Sequence, residues 1–179
     1  MDFRPRDLPV FASPAFPRPA SPAGSSSEPA YAAARNASRA DNILSAGRII
    51  EGLGHSFSAV KMQEGERLDF TFEVPAAGEY LLKTGATPNH DVDGKGMIIE
   101  VLLDGKAVDT QDYSVEGRSE RWMQNVLRGQ AVCSTKLNIE RSGEITISIR
   151  ALTRHVILDQ VMLLQGEMTF YEFPVTTTD

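Results

Sequence analysis

Apolar and polar residues alternate along much of the chain after about residue 47. Residues 67–74 (RLDFTFEV) and 144–151 (EITISIRA) show this alternation most regularly. Apolar side chains at every second position lie on one face of an extended strand, so both segments are predicted to be half-buried strands. The same pattern predicts further strands at residues 79–84, 97–103, 106–109, 136–140 and 155–164.

Turn residues separate these segments at regular intervals. Asp104-Gly105 stands between two extended runs and predicts a tight hairpin turn, and Ser142-Gly143 separates two later strands. Residues 156–164 (VILDQVMLL) form the most apolar run, which indicates a central strand. No helix of ten residues is predicted within the body, although the alanine-rich residues 30–40 favour a short helix.

Many short strands without helical crossovers must pair antiparallel and bury their apolar faces against a second sheet. We therefore predict an all-β fold, an antiparallel jelly-roll-like β-sandwich. Its core is expected to contain nine apolar residues of the alternating strands. They are Leu68, Phe70, Phe72, Ile99, Val101, Ile147, Ile149, Ile157 and Val161.

The domain organisation follows from composition. Seven of the ten prolines fall within residues 1–29, and such a segment is expected to be a disordered or strap-like arm. Residues 30–166 are assigned to the β-sandwich, and residues 167–179 to a C-terminal tail. The arm is expected to serve as a spacer or domain-joining strap rather than as a recognition motif.

Charge and cysteine content exclude several classes of protein. A net charge of −6 disfavours binding to phosphate-rich nucleic acid and to anionic membranes. Cys133 is the single cysteine, so there is no internal disulfide, and its apolar neighbours predict a packed thiol rather than a reactive one. The first ten residues lack the apolar core of a secretory signal, so the sequence itself leaves the localisation unknown.

Four segments together resemble the C-terminal domain of glycoside hydrolase family 115. Residues 52–60 (GLGHSFSAV) are similar to its opening "GLG-x-S/T-x-SAV" stretch, and 94–104 to its "G-x-G" segment followed by a strand and Asp. Trp122 with 125–128 (NVLR) resembles "W-x-x-x-VLRN", and 143–161 resembles the closing strands. The resemblance covers roughly residues 30–166, with departures at Gly129 and at Glu144-Ile145.

Full-length proteins of the family that this chain resembles are α-glucuronidases that act on xylan side chains, and their catalytic residues lie in upstream domains. The resemblance therefore implies a non-catalytic accessory domain associated with dimer formation and with framing the substrate cleft. It implies that the partners of this domain are upstream glycoside hydrolase domains or a second subunit. Xylan-type polysaccharide is a further partner that the resemblance implies. The resemblance also implies an extracellular or periplasmic location.

The residues themselves offer little catalytic chemistry. Glycoside hydrolysis requires two carboxylates across a sugar, and most acidic residues here fall at turns or outward strand positions. The three histidines lie far apart in sequence without zinc-ligand spacing. Asp91 and Asp93 in the loop HDVDG present hard oxygens at alternate positions, so a structural calcium ion is an alternative to an ordinary polar loop. No other cofactor is expected.

A carbohydrate site would need exposed aromatic rings with polar side chains beside them. Trp122 is expected to be chiefly structural, packed over the sandwich end or against a partner, because apolar residues that suggest a strand follow it. Because the chain has a single tryptophan, a role in subunit assembly is ranked above a role in sugar binding. The alternatives are an independent carbohydrate-binding module and a purely structural or adhesion unit. The candidate sugar-binding residues are Trp122, Tyr113, His90, Asn89, Asn125, Arg121 and Arg128.

Overall fold

The computed structural model describes residues 31–88, 90–91 and 93–166. The arm and the tail predicted for residues 1–29 and 167–179 lie outside these residues. The described part contains ten strands and one α-helix. In chain order they are β1 (Tyr31–Asn36), β2 (Arg48–Glu51), β3 (Ser58–Lys61), β4 (Arg67–Val74), β5 (Gly78–Ala86), β6 (Ile98–Leu103), β7 (Lys106–Asp112), α1 (Glu120–Arg128), β8 (Ala131–Ile139), β9 (Gly143–Ala151) and β10 (Ile157–Gln165), with a 3-10 helix at Ala37–Arg39 after β1.

The strands form two antiparallel sheets that face each other. One sheet has the order β2-β3-β10-β5-β8, with β1 paired to β10 on the side where β3 also pairs. The other sheet has the order β4-β9-β6-β7. The all-β, antiparallel sandwich prediction is confirmed, and β10 is central to its sheet as its apolar run indicated.

The alternation of apolar and polar residues along β4 and β9 determines which of their side chains enter the core. The two strands pair from Arg67↔Arg150 to Val74↔Gly143, and this register places Phe70 opposite Ile147 and Phe72 opposite Ile145. Both phenylalanines are 1% exposed, so the apolar face of β4 lies inside the sandwich. The tight turn after β6 is confirmed as well: Asp104 (φ 47°) and Gly105 (φ 81°) connect Leu103 to its partner Lys106.

Eight of the nine predicted core residues are buried, and the prediction was wrong for Ile157. Ile157 is only partly buried, whereas the next residue, Leu158, is fully buried. The pairing of β10 with β5 is irregular between Leu158 and Gln160, and an irregularity of this kind changes which face of the strand a side chain occupies. The period-two pattern, extended back from Val161, therefore assigned Ile157 to the wrong face.

Two local predictions were wrong. The alanine-rich segment forms β1 rather than a helix, because pairing along β10 overrides the high intrinsic helix propensity of alanine. The residues after Trp122 form α1 rather than a strand. Neither helix in the described part is long and apolar enough to cross a membrane.

Candidate functional site

The residues at the two ends of α1 determine where the helix begins and ends. Ser119 precedes it in extended backbone, and its hydroxyl oxygen accepts a hydrogen bond from the backbone N–H of Trp122 at 3.1 Å. Glu120 in the first turn and Arg128 in the last carry the charges that a helix dipole favours. Gly129 (φ 68°) ends the helix in the left-handed conformation that glycine adopts without steric cost.

One face of α1 leaves large apolar side chains in water. Met123, Val126 and Leu127 have exposed fractions of 50%, 48% and 79%. Because positions i, i+3 and i+4 lie on the same side of a helix, these three side chains form one surface, which we call the α1 apolar face. Contiguous exposed apolar residues are a common feature of interaction surfaces.

A polar row runs along the helix beside that face. Gln124 Nε2 donates to Glu120 Oε1 at 3.3 Å, and Arg128 Nη2 donates to Gln124 Oε1 at 3.5 Å. The row therefore carries a negative charge at the start of the helix and a positive charge at its end. The opposite charges stand at the two ends of the α1 apolar face.

Two of the predicted sugar-binding residues lie together. The rings of His90 and Trp122 are stacked, with centroids 5.9 Å apart and planes inclined by 19°. His90 is exposed and Trp122 is partly buried, so the pair presents an aromatic edge at the start of α1. A third candidate, Asn89, lies outside the described residues.

Two other candidates are buried. Tyr113 is 1% exposed and its hydroxyl donates to Thr84 Oγ1 at 2.5 Å, and burial next to the Cys133 thiol raises the pKa of Tyr113 well above its usual value. Asn125 is 6% exposed. Neither side chain is presented to a ligand from solvent. Arg121 and Arg128 are exposed and remain accessible.

The loop carrying Asp91 and Asp93 is organised by backbone hydrogen bonds. Asp91 Oδ2 accepts from the N–H of Gly96 at 2.8 Å, and Oδ1 accepts from Gly94 at 3.0 Å and Asp93 at 3.2 Å. The hydrogen bond from Gly96 is the main reason that the pKa of Asp91 lies below its usual value. Among residues 31–88, 90–91 and 93–166, no three His, Cys, Asp or Glu side chains are placed to hold a metal ion. Both oxygens of Asp91 thus serve the loop.

Cys133 lies on β8 and is partly buried. Its Sγ approaches the carbonyl oxygen of Asp112 at 3.8 Å. Burial raises the pKa of the Cys133 thiol, and the Arg121 guanidinium offsets this shift only in part. A raised thiol pKa lowers the thiolate fraction at neutral pH, as expected of a packed cysteine.

A buried carboxylate joins α1 to the loop between β2 and β3. Asp159 on β10 is 0% exposed. Its Oδ2 accepts from the backbone N–H of His55 at 2.7 Å and from Gln130 Nε2 at 2.8 Å. Its Oδ1 accepts from the Ser56 hydroxyl at 2.5 Å and from the Ser56 N–H at 3.2 Å. Gln130 directly follows the Gly129 cap of α1, so one side chain fixes both segments.

This joint was not predicted from the sequence, although a signal was present. Asp159 and Gln160 are adjacent polar residues inside the most apolar run of the chain, where two buried polar side chains require partners. Gln160 Nε2 also donates to Asn36 Oδ1 at 2.9 Å. Two of the partners, His55 and Asn36, lie more than a hundred residues before Asp159 and Gln160 in the sequence. Sequence spacing alone therefore does not identify them.

The other end of the sandwich carries an open groove. It lies between the β6–β7 turn and the β8–β9 turn and has a volume of about 390 Å³. Leu103, Val108 and Ile139 line it, and Arg141 faces Asp104 beside it at 3.6 Å (Nη2 to Oδ2). Val108 is 41% exposed there and provides an apolar reference residue remote from α1.

Solved structures define the class of this fold. The C-terminal family 6 carbohydrate-binding module of LamC, a laminarinase from Zobellia galactanivorans, aligns over 75% of this chain and 100% of that chain at 11% identity and a TM-score of 0.54. A family 35 carbohydrate-binding module from an environmental isolate aligns over 72% of this chain and 90% of that chain, at 12% identity and a TM-score of 0.54. The chain has the fold of these β-sandwich modules.

The family follows from a more specific match. The family model of the glycosyl hydrolase family 115 C-terminal domain matches residues 26–170, and the chain belongs to this family. The 4-O-methyl-α-glucuronidase BtGH115A, with specificity for decorated arabinogalactans, is 33% identical with a TM-score of 0.68, over 79% of this chain and 18% of that chain. The present chain thus spans less than a fifth of that relative. No curated protein sequence matches the chain.

Proposed function

We propose that this chain is a non-catalytic accessory domain of a family 115 glycoside hydrolase and that it packs on a second subunit through the α1 apolar face. The observation that carries the proposal is the exposure of Met123, Val126 and Leu127 on one side of one helix. A solvent-facing helix ordinarily turns such residues inward. Their outward position is explained if a protein surface covers them.

The charge pattern of α1 favours a second copy as that surface. Glu120 and Arg128 are eight positions apart, or about 12 Å along the helix axis at 1.5 Å per residue. In a two-fold pair of antiparallel α1 helices, Glu120 of one copy lies opposite Arg128 of the other, and the apolar faces meet between them. The same surface patch is then self-complementary in charge and in apolar character.

The cleft-shaping part of the proposal follows from the family. BtGH115A is a 4-O-methyl-α-glucuronidase, so glucuronate-bearing polysaccharides are the substrate class that we carry over, with xylan side chains as the expected member. Paired accessory domains would border a cleft whose catalytic residues lie in other domains. Release of glucuronic acid from an aldouronic oligosaccharide by this chain, abolished by a point substitution within it, would contradict the non-catalytic assignment.

Replacing Leu127 with glutamate should shift the chain from dimer to monomer. A carboxylate placed at the centre of the α1 apolar face would be buried without a partner in the paired state, which strongly disfavours association. Sedimentation equilibrium over a range of concentrations measures the effect. Val108→Glu is the matched control, because Val108 is also exposed but lies at the other end of the sandwich.

Wild-type protein that sediments as a monomer at every concentration would rule out the second copy as the partner. Equal dissociation by Val108→Glu and Leu127→Glu would show that the effect is one of general surface charge. The proposal requires that Leu127→Glu alone dissociates the pair and that the melting temperature of its monomer remains close to that of the control.

The stacked rings of His90 and Trp122 support carbohydrate binding as a second candidate function. The exposed His90 ring stacked on Trp122, with the exposed Arg121 next to Trp122 in sequence, offers the aromatic and polar groups that a sugar site needs. We expect Trp122 emission to be indifferent to xylo-oligosaccharides, with or without glucuronic acid, and to move on dilution of the protein. Saturable quenching by a sugar that is lost in His90→Ala would reverse the ranking of the two functions.

A further inference from the structure

Phe57 is an exposed aromatic residue in an unfavourable backbone conformation. Its exposed fraction is 67% and its φ angle is 59°. A bulky side chain rarely adopts this left-handed region, and residues held there tend to cluster at functional sites. Because the ring gains little by burial within the domain, the conformation is not explained by packing of the core.

The loop around Phe57 holds it in this conformation. The Phe57 carbonyl oxygen accepts from the Gly52 N–H at 2.9 Å, and the Phe57 N–H donates to the Gly54 carbonyl at 3.4 Å. The two preceding residues, His55 and Ser56, are bound to the buried carboxylate of Asp159. The ring is therefore presented from a fixed loop.

The same carboxylate fixes the end of α1. Asp159 Oδ2 accepts both from the His55 N–H and from Gln130 Nε2. Phe57 is two residues beyond His55, and Leu127 is three residues before Gln130. The segments that carry two strongly exposed apolar side chains, Phe57 and Leu127, are thus connected through Asp159.

We infer that Phe57 is a second anchor of the α1 docking surface and packs against the second subunit beside Leu127. This inference rests on the proposed function. Aromatic side chains carry a large share of the binding free energy at protein interfaces, and a rigid ring loses little entropy on binding. The hydroxyl and N–H of Ser56 and the N–H of His55 serve Asp159, so these three groups beside the ring are not available to a sugar.

The test is Phe57→Asn in the full chain. Asparagine tolerates the left-handed conformation, so the folded monomer should keep its melting temperature. The dissociation constant of the pair, measured by sedimentation equilibrium, should rise by about tenfold or more, the change expected for loss of an interface anchor. Val108→Asn is the matched control, and its dissociation constant should match that of the wild type.

The outcomes separate this inference from the proposed function. If Leu127→Glu dissociates the pair and Phe57→Asn leaves the dissociation constant unchanged, the second anchor is wrong and the α1 face stands. If wild-type protein is monomeric throughout, both fail. If Phe57→Asn leaves association intact and instead abolishes saturable binding of a xylo-oligosaccharide, the ring is a sugar platform and the inference is overturned.

Discussion

Replacing Phe72 with alanine is expected to lower the free energy of unfolding by roughly 3–5 kcal/mol, the usual cost of emptying a buried aromatic site. Phe72 is 1% exposed and lies opposite Ile145, in the centre of the apolar face of β4. The guanidinium of Arg35 lies over its ring, 5.7 Å from the centroid. Urea unfolding followed by far-ultraviolet circular dichroism measures the difference.

The neighbouring Glu73→Ala provides the control for this experiment. Glu73 is exposed on the same strand, so its replacement should change stability by less than about 0.5 kcal/mol. A loss below about 1 kcal/mol for Phe72→Ala would mean that β4 is shifted by one residue, because a one-residue slip turns every side chain to the other face.

Replacing Asp159 with alanine should also cost roughly 3–5 kcal/mol, since each buried donor left without an acceptor costs about 1–3 kcal/mol and the carboxylate accepts from four. His55, Ser56 and Gln130 would lose their shared acceptor, although the loop can turn some donors to water. The measurement is urea unfolding, together with amide hydrogen exchange at residues 55 and 56. Exchange there should accelerate beyond the change in global stability.

Two further variants make this result specific. Asp159→Asn keeps one carbonyl oxygen and replaces the other with a donor, so its loss should be smaller, about 1–3 kcal/mol. Glu79→Ala removes an exposed carboxylate from the adjacent strand β5 and should be nearly neutral. If Asp159→Ala were as mild as Glu79→Ala, the joint between α1 and the β2–β3 loop would contribute little to folding.

Regular alternation made much of the fold predictable. The strand at residues 67–74 was assigned with its observed bounds, and seven apolar residues of β4, β6 and β9 were assigned to the core and are buried. These strands have one buried and one exposed face, so the burial of each side chain follows directly from its position. The fold class could therefore be predicted from the alternation, whereas the family was indicated by the resemblance of four short segments.

The elements that were missed depend on other parts of the chain. β1 consists mostly of alanine and polar residues, and its state is decided by the free edge of β10, which no local pattern describes. For α1 the signals were local: Ser119, Gly129 and the spacing of Met123, Val126 and Leu127 are typical of a capped amphipathic helix. The predicted strand followed the apolar composition of the segment, whereas the observed helix follows the spacing of its apolar residues.

The candidate site was predictable only in part. His90 and Trp122 were identified by residue type, and the fold brings them into contact. Tyr113 has the same residue type but lies on the inner side of the sandwich, hydrogen-bonded to Thr84. Whether an aromatic side chain next to a loop is buried depends on which sheet covers it. The residue type alone does not determine which sheet that is. Phe57 was overlooked because its distinguishing property is its backbone conformation.

The contact of Gly54 with Asp159 makes two distant positions of the chain mutually dependent. A Cβ atom built on Gly54 would lie 2.6 Å from Asp159 Oδ1, and the backbone there has φ 82°. A side chain at position 54 is therefore disfavoured by both the contact and the backbone conformation, and a smaller residue at 159 would relieve only the contact while removing the acceptor used by His55 and Ser56. Gly54 and Asp159 are thus expected to be retained together during evolution. The segments GLGHS (residues 52–56) and ILDQV (residues 157–161), about a hundred residues apart, are thus expected to be retained together in related sequences.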